Sequence, residues 1–223
     1  DACDGAVTPT SATASGSSFN VGTTTVTYTA TDASGNTSSS TFNVIVVDDQ
    51  NPTISGTPAD ITVTADAGLC TTAVTWTEPT AADNCPGVSL SSDIASGTTF
   101  FLGTTTVTYT ATDTYGNSST ATFNVIVTDD QDPTISGMPA DITVSADAGL
   151  CTTAVTWSEP TAADNCPGVS LASDIAPGTT FFLGTTTVTY TATDPSGNQT
   201  TSTFNVIVVD DQNPTISGTP ADI

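Results

Sequence analysis

The sequence has no lysine, no arginine and no histidine against 23 acidic residues, which sets a formal net charge of −23. Nucleic acids and anionic membranes are bound through cationic side chains, so neither is expected as a partner. The same absence removes the Ser–His–Asp triad, the lysine Schiff base, the arginine clamp on phosphate and the lysine-based isopeptide cross-link. Paired carboxylates remain, as in glycosidases. They recur in every copy of an internal repeat, which marks a structural position, and the chain is not expected to be an enzyme. No run approaches the roughly 18 apolar residues of a membrane span, so membrane insertion is not expected. No secretory leader is recognisable, and residue 1 reads as a cut point within a longer chain.

What is abundant is aspartate, threonine and serine. Only Glu78 and Glu159 among the acids are glutamate. Threonine is β-branched and favours strands. The acidity has two readings: solubility through self-repulsion, or a surface on which metal cations stand in for the missing lysine and arginine.

Repetition organises the chain. Phe42, Phe123 and Phe204 head the same phrase, FNVIV, at a period of 81 residues. Trp76 and Trp157 keep that period, as do Gly22, Gly103 and Gly184. Residues 48–128 and 129–209 are complete copies that differ at twelve of 81 aligned positions. Residues 1–47 form the back part of an earlier copy, and 210–223 open a further one.

Each copy reads as short strands. In 104–112, Val107, Tyr109 and Ala111 alternate with Thr106, Thr108 and Thr110, the period of a half-buried strand. Ala121, Phe123, Val125 and Val127 repeat the pattern after a turn holding Asp113, Gly116 and Asn117. Further strands are expected around 60–65, 73–77, 88–92 and 98–102, and no helical period is visible. Short strands at this density, with regular turns, predict a two-sheet sandwich.

The cysteines are Cys3, Cys70, Cys85, Cys151 and Cys166, the last four in two pairs of equal 15-residue spacing. Pairing within each copy, Cys70–Cys85 and Cys151–Cys166, is the simplest connectivity, although spacing alone does not prove it. Zinc is the competing use of cysteine, and two cysteines per copy without histidine are a poor zinc inventory. Disulfides imply an oxidising, secreted setting. Cys3 aligns with Cys85 after a one-residue gap, so its partner is expected upstream of residue 1.

Two phrases carry a family resemblance: PADITVTADAGLCTTAVTWTEPTAADNCPGVSL at 58–90 and FFLGTTTVTYTATDTYGNSSTATFNVIVTDDQDPTI at 100–135. Both resemble the hyalin repeat, or HYR domain, and the resemblance covers essentially the whole chain. It implies an all-β fold of tandem immunoglobulin-like β-sandwich repeats, related in layout to fibronectin type III. It implies secreted, cell-surface adhesion proteins with many copies, among them giant proteins of gliding, surface-attached bacteria. Many family members carry further cysteines. This chain keeps only Cys70 with Cys85 and Cys151 with Cys166 in its complete copies, which points to pairing inside each copy.

On that footing the expected role is structural. The chain would be a stalk segment of a long adhesin or extracellular filament that attaches to surfaces, cells or prey. The implied partners are neighbouring repeats of the same chain, identical chains in a filament, and a ligand at a tip outside this sequence. The alternative is that each repeat itself binds glycan or protein. Against it, Tyr115 is the one aromatic of the complete copies expected to be exposed, and Ser196 replaces it in the next copy.

Calcium is the expected ligand of the linkers. The phrases DDQNP (Asp48, Asp49, Asn51), DDQDP (Asp129, Asp130, Asp132) and DDQNP again (Asp210, Asp211, Asn213) set several oxygens between copies. Calcium takes about six to eight oxygen ligands. In a seven-strand sandwich the last hairpin shares a pole with the incoming linker. Asp113 and Asn117 would then approach Asp48 and Asp49, and Asp194 and Asn198 would approach Asp129 and Asp130. The bland alternative is a solvated turn before proline and a hairpin capped by Asp113 through its own backbone. Asp83 and Asn84 form a second patch. A plain loop leaves it at the linker, whereas bonding Cys85 to Cys70 would draw it towards the opposite pole.

Overall fold

A computed structural model describes Cys3 and residues 5–218. Regular structure among the described residues is entirely β, from Thr10–Ser11 to Gln199–Val209. The chain divides into two compact units: 1–57 with 78–93 and 108–122, and 58–77 with 94–107 and 123–223. The copy 129–209 lies wholly in the second unit.

That copy is a sandwich of one four-stranded sheet and two short strand pairs. The sheet runs in the order Ile142–Ser145, Gln199–Val209, Gly184–Thr193, Ser170–Ser173. Its first pair is parallel and the others antiparallel. The alternating threonine strand Gly184–Thr193 pairs along its length with Gln199–Val209, Val188 opposite Phe204. Val188, Tyr190, Phe204, Val206 and Val208 thereby point to one face and are buried. The short pairs are Thr134–Ser136 with Thr161–Ala163 and Thr152–Ala154 with Thr180–Phe182. Phe181 and Val155 close the core with Ala146. Trp157 packs edge-on against Phe204 at 5.2 Å between ring centroids and donates through Nε1 to the Tyr190 hydroxyl at 2.8 Å. This is the immunoglobulin-like, all-β layout that the alternation and the resemblance predict.

The copy 48–128 repeats the pairings. Thr53–Ser55 pairs with Thr80–Ala82, Thr71–Ala73 with Thr99–Phe101, and Ile61–Thr64 runs parallel to 125–128. Thr53–Ser55 and Thr80–Ala82 carry no alternating apolar pattern, and sequence reading missed them. The strand expected over 73–77 ends at Ala73. Beyond Val74, the Trp76 N–H donates to the Ser96 hydroxyl at 2.9 Å, a side chain standing where a ladder carbonyl would be. In 1–47 a three-stranded sheet forms, with no second sheet within this segment among the described residues. Phe42 is accordingly 52% exposed, whereas its counterpart Phe204 is 3% exposed.

The expected disulfides are corrected. Cys70 bonds to Cys166, 96 residues away, with Cα atoms 5.2 Å apart. Neither Cys70–Cys85 nor Cys151–Cys166 forms, and Cys85 and Cys151 carry free thiols. The copy 129–209 gives the reason. The Cys151 carbonyl accepts from the N–H of Leu183, just before the ten-residue strand Gly184–Thr193. Cys166 lies beside Asp129, whose carbonyl is held by Asn198, just past the far end of that strand. Ten strand residues span about 33 Å, whereas a bridge needs Cα atoms within about 7 Å. The two cysteines of one copy therefore sit at opposite poles.

Candidate metal centre where two copies meet

The tip of the hairpin between Gly184–Thr193 and Gln199–Val209 is built on Asp194. Its Oδ1 accepts the Asn198 N–H and its Oδ2 accepts Asn198 Nδ2, both at 2.8 Å. Gly197 takes a φ of 95°, in the left-handed region that favours glycine, to close the turn. Burial pushes the Asp194 pKa up. Donation from the Asn198 side chain and N–H, and from the Gly197 and Ser196 N–H groups, outweighs it and leaves the carboxyl below its ordinary value. Asn198 Nδ2 also donates 3.1 Å to the Asp129 carbonyl, which docks the linker on the hairpin.

Asp129 is thereby only 8% exposed. Its Oδ1 accepts the Gln131 N–H at 3.1 Å and Asn165 Nδ2 at 3.3 Å. Its Oδ2 is buried without a partner, as is Asn165 Oδ1. Oxygens of Asp129 and Asp164 and the sulfur of Cys166 lie within 4.8 Å of one another. Asp164 Oδ2 also accepts the Cys166 N–H at 3.0 Å. Asn165 Nδ2 reaches the Leu69 carbonyl of the preceding copy at 2.9 Å. A buried carboxylate oxygen with no donor is costly, and a cation removes the cost. With Cys166 bonded to Cys70, the donors left are carboxylate and amide oxygens, which suit a hard cation.

The same cluster recurs one period earlier. Asp48, Asp83 and Cys85 gather within 4.8 Å, and Asp48 Oδ2 is again buried without a partner. Asn117 Nδ2 donates 3.1 Å to the Asp48 carbonyl and 2.8 Å to Asp113 Oδ2. The Cys85 thiol is pushed up to about 11, first by its hydrogen bond to Asp48, then by burial and by the charges of Asp48, Asp83 and Asp113. Asp83 and Asp164 therefore sit at the linker pole, the position a plain loop gives. Of the expected patch Asp83 and Asn84, Asp83 joins the cluster because Cys85 is not bonded to Cys70, and Asp164 is its counterpart one period on.

The remaining candidate residues are arranged differently. Asp49, Asn51, Asp130 and Asp132 are exposed. Asp210 accepts the Gln212 N–H, and Asp211 accepts the Ser145 hydroxyl. Asp113 and Asp194 turn their oxygens to their own hairpins. The exposed aromatics also differ from expectation. Beside Tyr115, Phe101 and Phe182 are 74% and 73% exposed, because each sits on the outward face of a short edge strand.

The pattern of the HYR domain matches residues 1–46, 47–127 and 128–208. Hyalin of Strongylocentrotus purpuratus is 40% identical over 201 residues, covering 87% of this chain and 17% of that protein. Hyalin of Lytechinus variegatus is 41% identical over 221 residues, covering 95% of this chain and 42% of that protein. The chain thus spans less than half the length of either. A solved structure of protocadherin gamma B2 extracellular cadherin domains 1–5 aligns over 86% of this chain and 47% of its own, at 17% identity and a TM-score of 0.38.

Proposed function

We propose that this chain, which belongs to the HYR domain family, is a structural stalk segment of an extracellular adhesive array whose junctions are clamped by calcium. The role is structural and extracellular: without lysine, arginine and histidine there is no Ser–His–Asp triad, Schiff base or phosphate clamp, and the carboxylates recur at the same positions in each copy. A cation at each junction would be held by the Asp129, Asp164 and Asn165 oxygens, and one copy earlier by those of Asp48 and Asp83. Asp113, Asn117, Asp194 and Asn198 would position the linker. The exposed Asp49, Asn51, Asp130 and Asp132, and the further pair Asp210 and Asp211, would add outer or water-mediated contacts. One observation carries the reading: Asp129 Oδ2 is buried and unpartnered in a carboxylate that clusters with the Asp164 carboxylate within 4.8 Å. Extracellular calcium modules bind at about 10⁻⁴–10⁻³ M, so occupancy would follow external calcium.

The test is small-angle scattering of an array of four 81-residue copies, in millimolar calcium and then in chelator. A drop in maximum dimension on chelation supports clamped junctions. An extended, unchanged profile removes calcium from the account, and a compact profile in both states removes the stalk.

A second reading, repeats that bind a ligand themselves, is favoured by the recurring exposed pair Phe101 and Phe182. If it holds, Phe101→Ser with Phe182→Ser abolishes attachment without changing the scattering profile.

A further inference from the structure

We infer that the Cys70–Cys166 bond is one rung of a ladder, in which the first cysteine of each copy is bonded to the second cysteine of the copy that follows. Cys85 and Cys151 are then half-rungs, waiting for partners in the copies before and after them.

The inference rests on both halves of the bonded junction recurring where the bond cannot form within this sequence. The outgoing half at Cys70 is a tight turn. Asp66 N–H donates to Thr71 O at 3.0 Å, Leu69 N–H to Asp66 O at 2.9 Å, and Leu102 N–H to Cys70 O at 3.1 Å. The linker is pinned to it by Gln131, whose Oε1 accepts the Gly68 N–H at 2.8 Å. Around Cys151 every part returns. Asp147 N–H donates to Thr152 O at 2.9 Å, Leu150 N–H to Asp147 O at 2.8 Å, and Leu183 N–H to Cys151 O at 3.1 Å. Gln212 Oε1 accepts the Gly149 N–H at 2.9 Å. The linker leaving the copy 129–209 is therefore docked like the one leaving 48–128, with Cys151 exposed at the site where Cys70 carries its bond.

The incoming half recurs as closely. Cys166 N–H donates to Asp164 Oδ2 at 3.0 Å, and Cys85 N–H donates to Asp83 Oδ2 at 3.0 Å. Asn198 and Asn117 each hold the linker carbonyl beside them at 3.1 Å. Pairing inside a copy is excluded by the strand length between the two poles. Wherever copies follow one another in this register, the outgoing and incoming cysteines meet.

Each rung forms by thiol–disulfide exchange with an external disulfide oxidant. Two thiols lose two protons and two electrons to form one S–S bond, and the oxidant's S–S bond is cleaved to two thiols. The result is an array in which every junction is covalently closed, so that tension at a junction is carried by a disulfide as well as by the linker backbone.

The experiment inserts one further copy of 48–128 after residue 209 and compares this lengthened chain with the original, both oxidised and monomeric. A protease that cuts before aspartate releases Cys3 on 1–3 and the other cysteines on peptides 66–82, 83–92, 147–163 and 164–173. Thr77 against Ser158 separates the first cysteines of the two copies by one methylene, and Ser91 against Ala172 separates the second by one oxygen. In both chains 66–82 is expected joined to 164–173. In the lengthened chain alone, 147–163 is expected joined to the inserted 83–92. Joining of 66–82 to 83–92, or of 147–163 to 164–173, overturns the ladder. So does a Cys151 that stays alkylatable in the lengthened chain while Cys70–Cys166 has formed.

Discussion

The side-chain amide of Asn198 donates to the backbone carbonyl of Asp129, 69 residues earlier, across 3.1 Å. The same amide group donates to Asp194, so one residue joins the last hairpin of a copy to its incoming linker. Asn117 does this for Asp48 one period earlier. Replacing Asn198 with alanine leaves the buried Asp129 carbonyl without its donor. The expected loss is about 1–3 kcal/mol, read from the urea midpoint, with the far-UV spectrum unchanged.

Removing the orphaned charge should have opposite effects with and without cation. Asp129→Asn keeps an acceptor for Gln131 and Asn165 and replaces the unpartnered Oδ2 with an amide nitrogen. In chelator the variant is expected to melt above the wild type, because an uncompensated buried charge is gone. In millimolar calcium the order is expected to reverse. Differential scanning calorimetry in both buffers reads both signs, and a variant that melts lower in chelator would remove the orphan argument.

Acid should weaken the hairpins. The Asp113 and Asp194 carboxyls are buried, which raises their pKa values, but the donors of their own turns outweigh burial and hold them low. Asp60 is lowered chiefly by the Asn124 N–H. A group whose folded pKa lies below its unfolded value stabilises the fold above the unfolded pKa, and that contribution is lost as pH falls through the folded one. Asp194→Asn is therefore expected to be less stable than the wild type at neutral pH, with the gap closing below about 3.8. A gap independent of pH would show that the charge of Asp194 contributes nothing.

Reduction should loosen the second compact unit. Cys70–Cys166 closes a 96-residue separation, and bridges of this kind contribute typically about 2–4 kcal/mol. A reductant, or Cys166→Ser, is expected to lower the urea midpoint by a corresponding amount. Cys85→Ser, whose thiol is unbonded in this chain, is expected to leave it nearly unchanged.

The core Trp157 should respond through its hydrogen bond as well as its volume. Trp157→Phe keeps an edge to pack on Phe204 but removes the Nε1 donor to the Tyr190 hydroxyl. A loss of roughly 1–3 kcal/mol is expected, measured by thermal unfolding.

The sequence by itself determined the period, the all-β class and the buried face of the long hairpin. An alternating strand such as Gly184–Thr193 encodes its own inward residues, and neighbours only confirm them. It also determined that Asn198 and Asp194 meet, because the turn is local. Only tertiary structure decided the rest. Thr134–Ser136 and Thr161–Ala163 have no pattern of their own and exist because they pair with each other. Fifteen residues between two cysteines looked like a loop, but the chain crosses the sandwich in that interval, so Cys151 and Cys166 end at opposite poles. Cys70 meets Cys166 because the outgoing pole of one copy abuts the incoming pole of the next, and Asp164 meets Asp129 because both lie at the incoming pole of their own copy. Such long-range juxtaposition leaves no trace in local spacing, which reports distance along the chain and not across the fold.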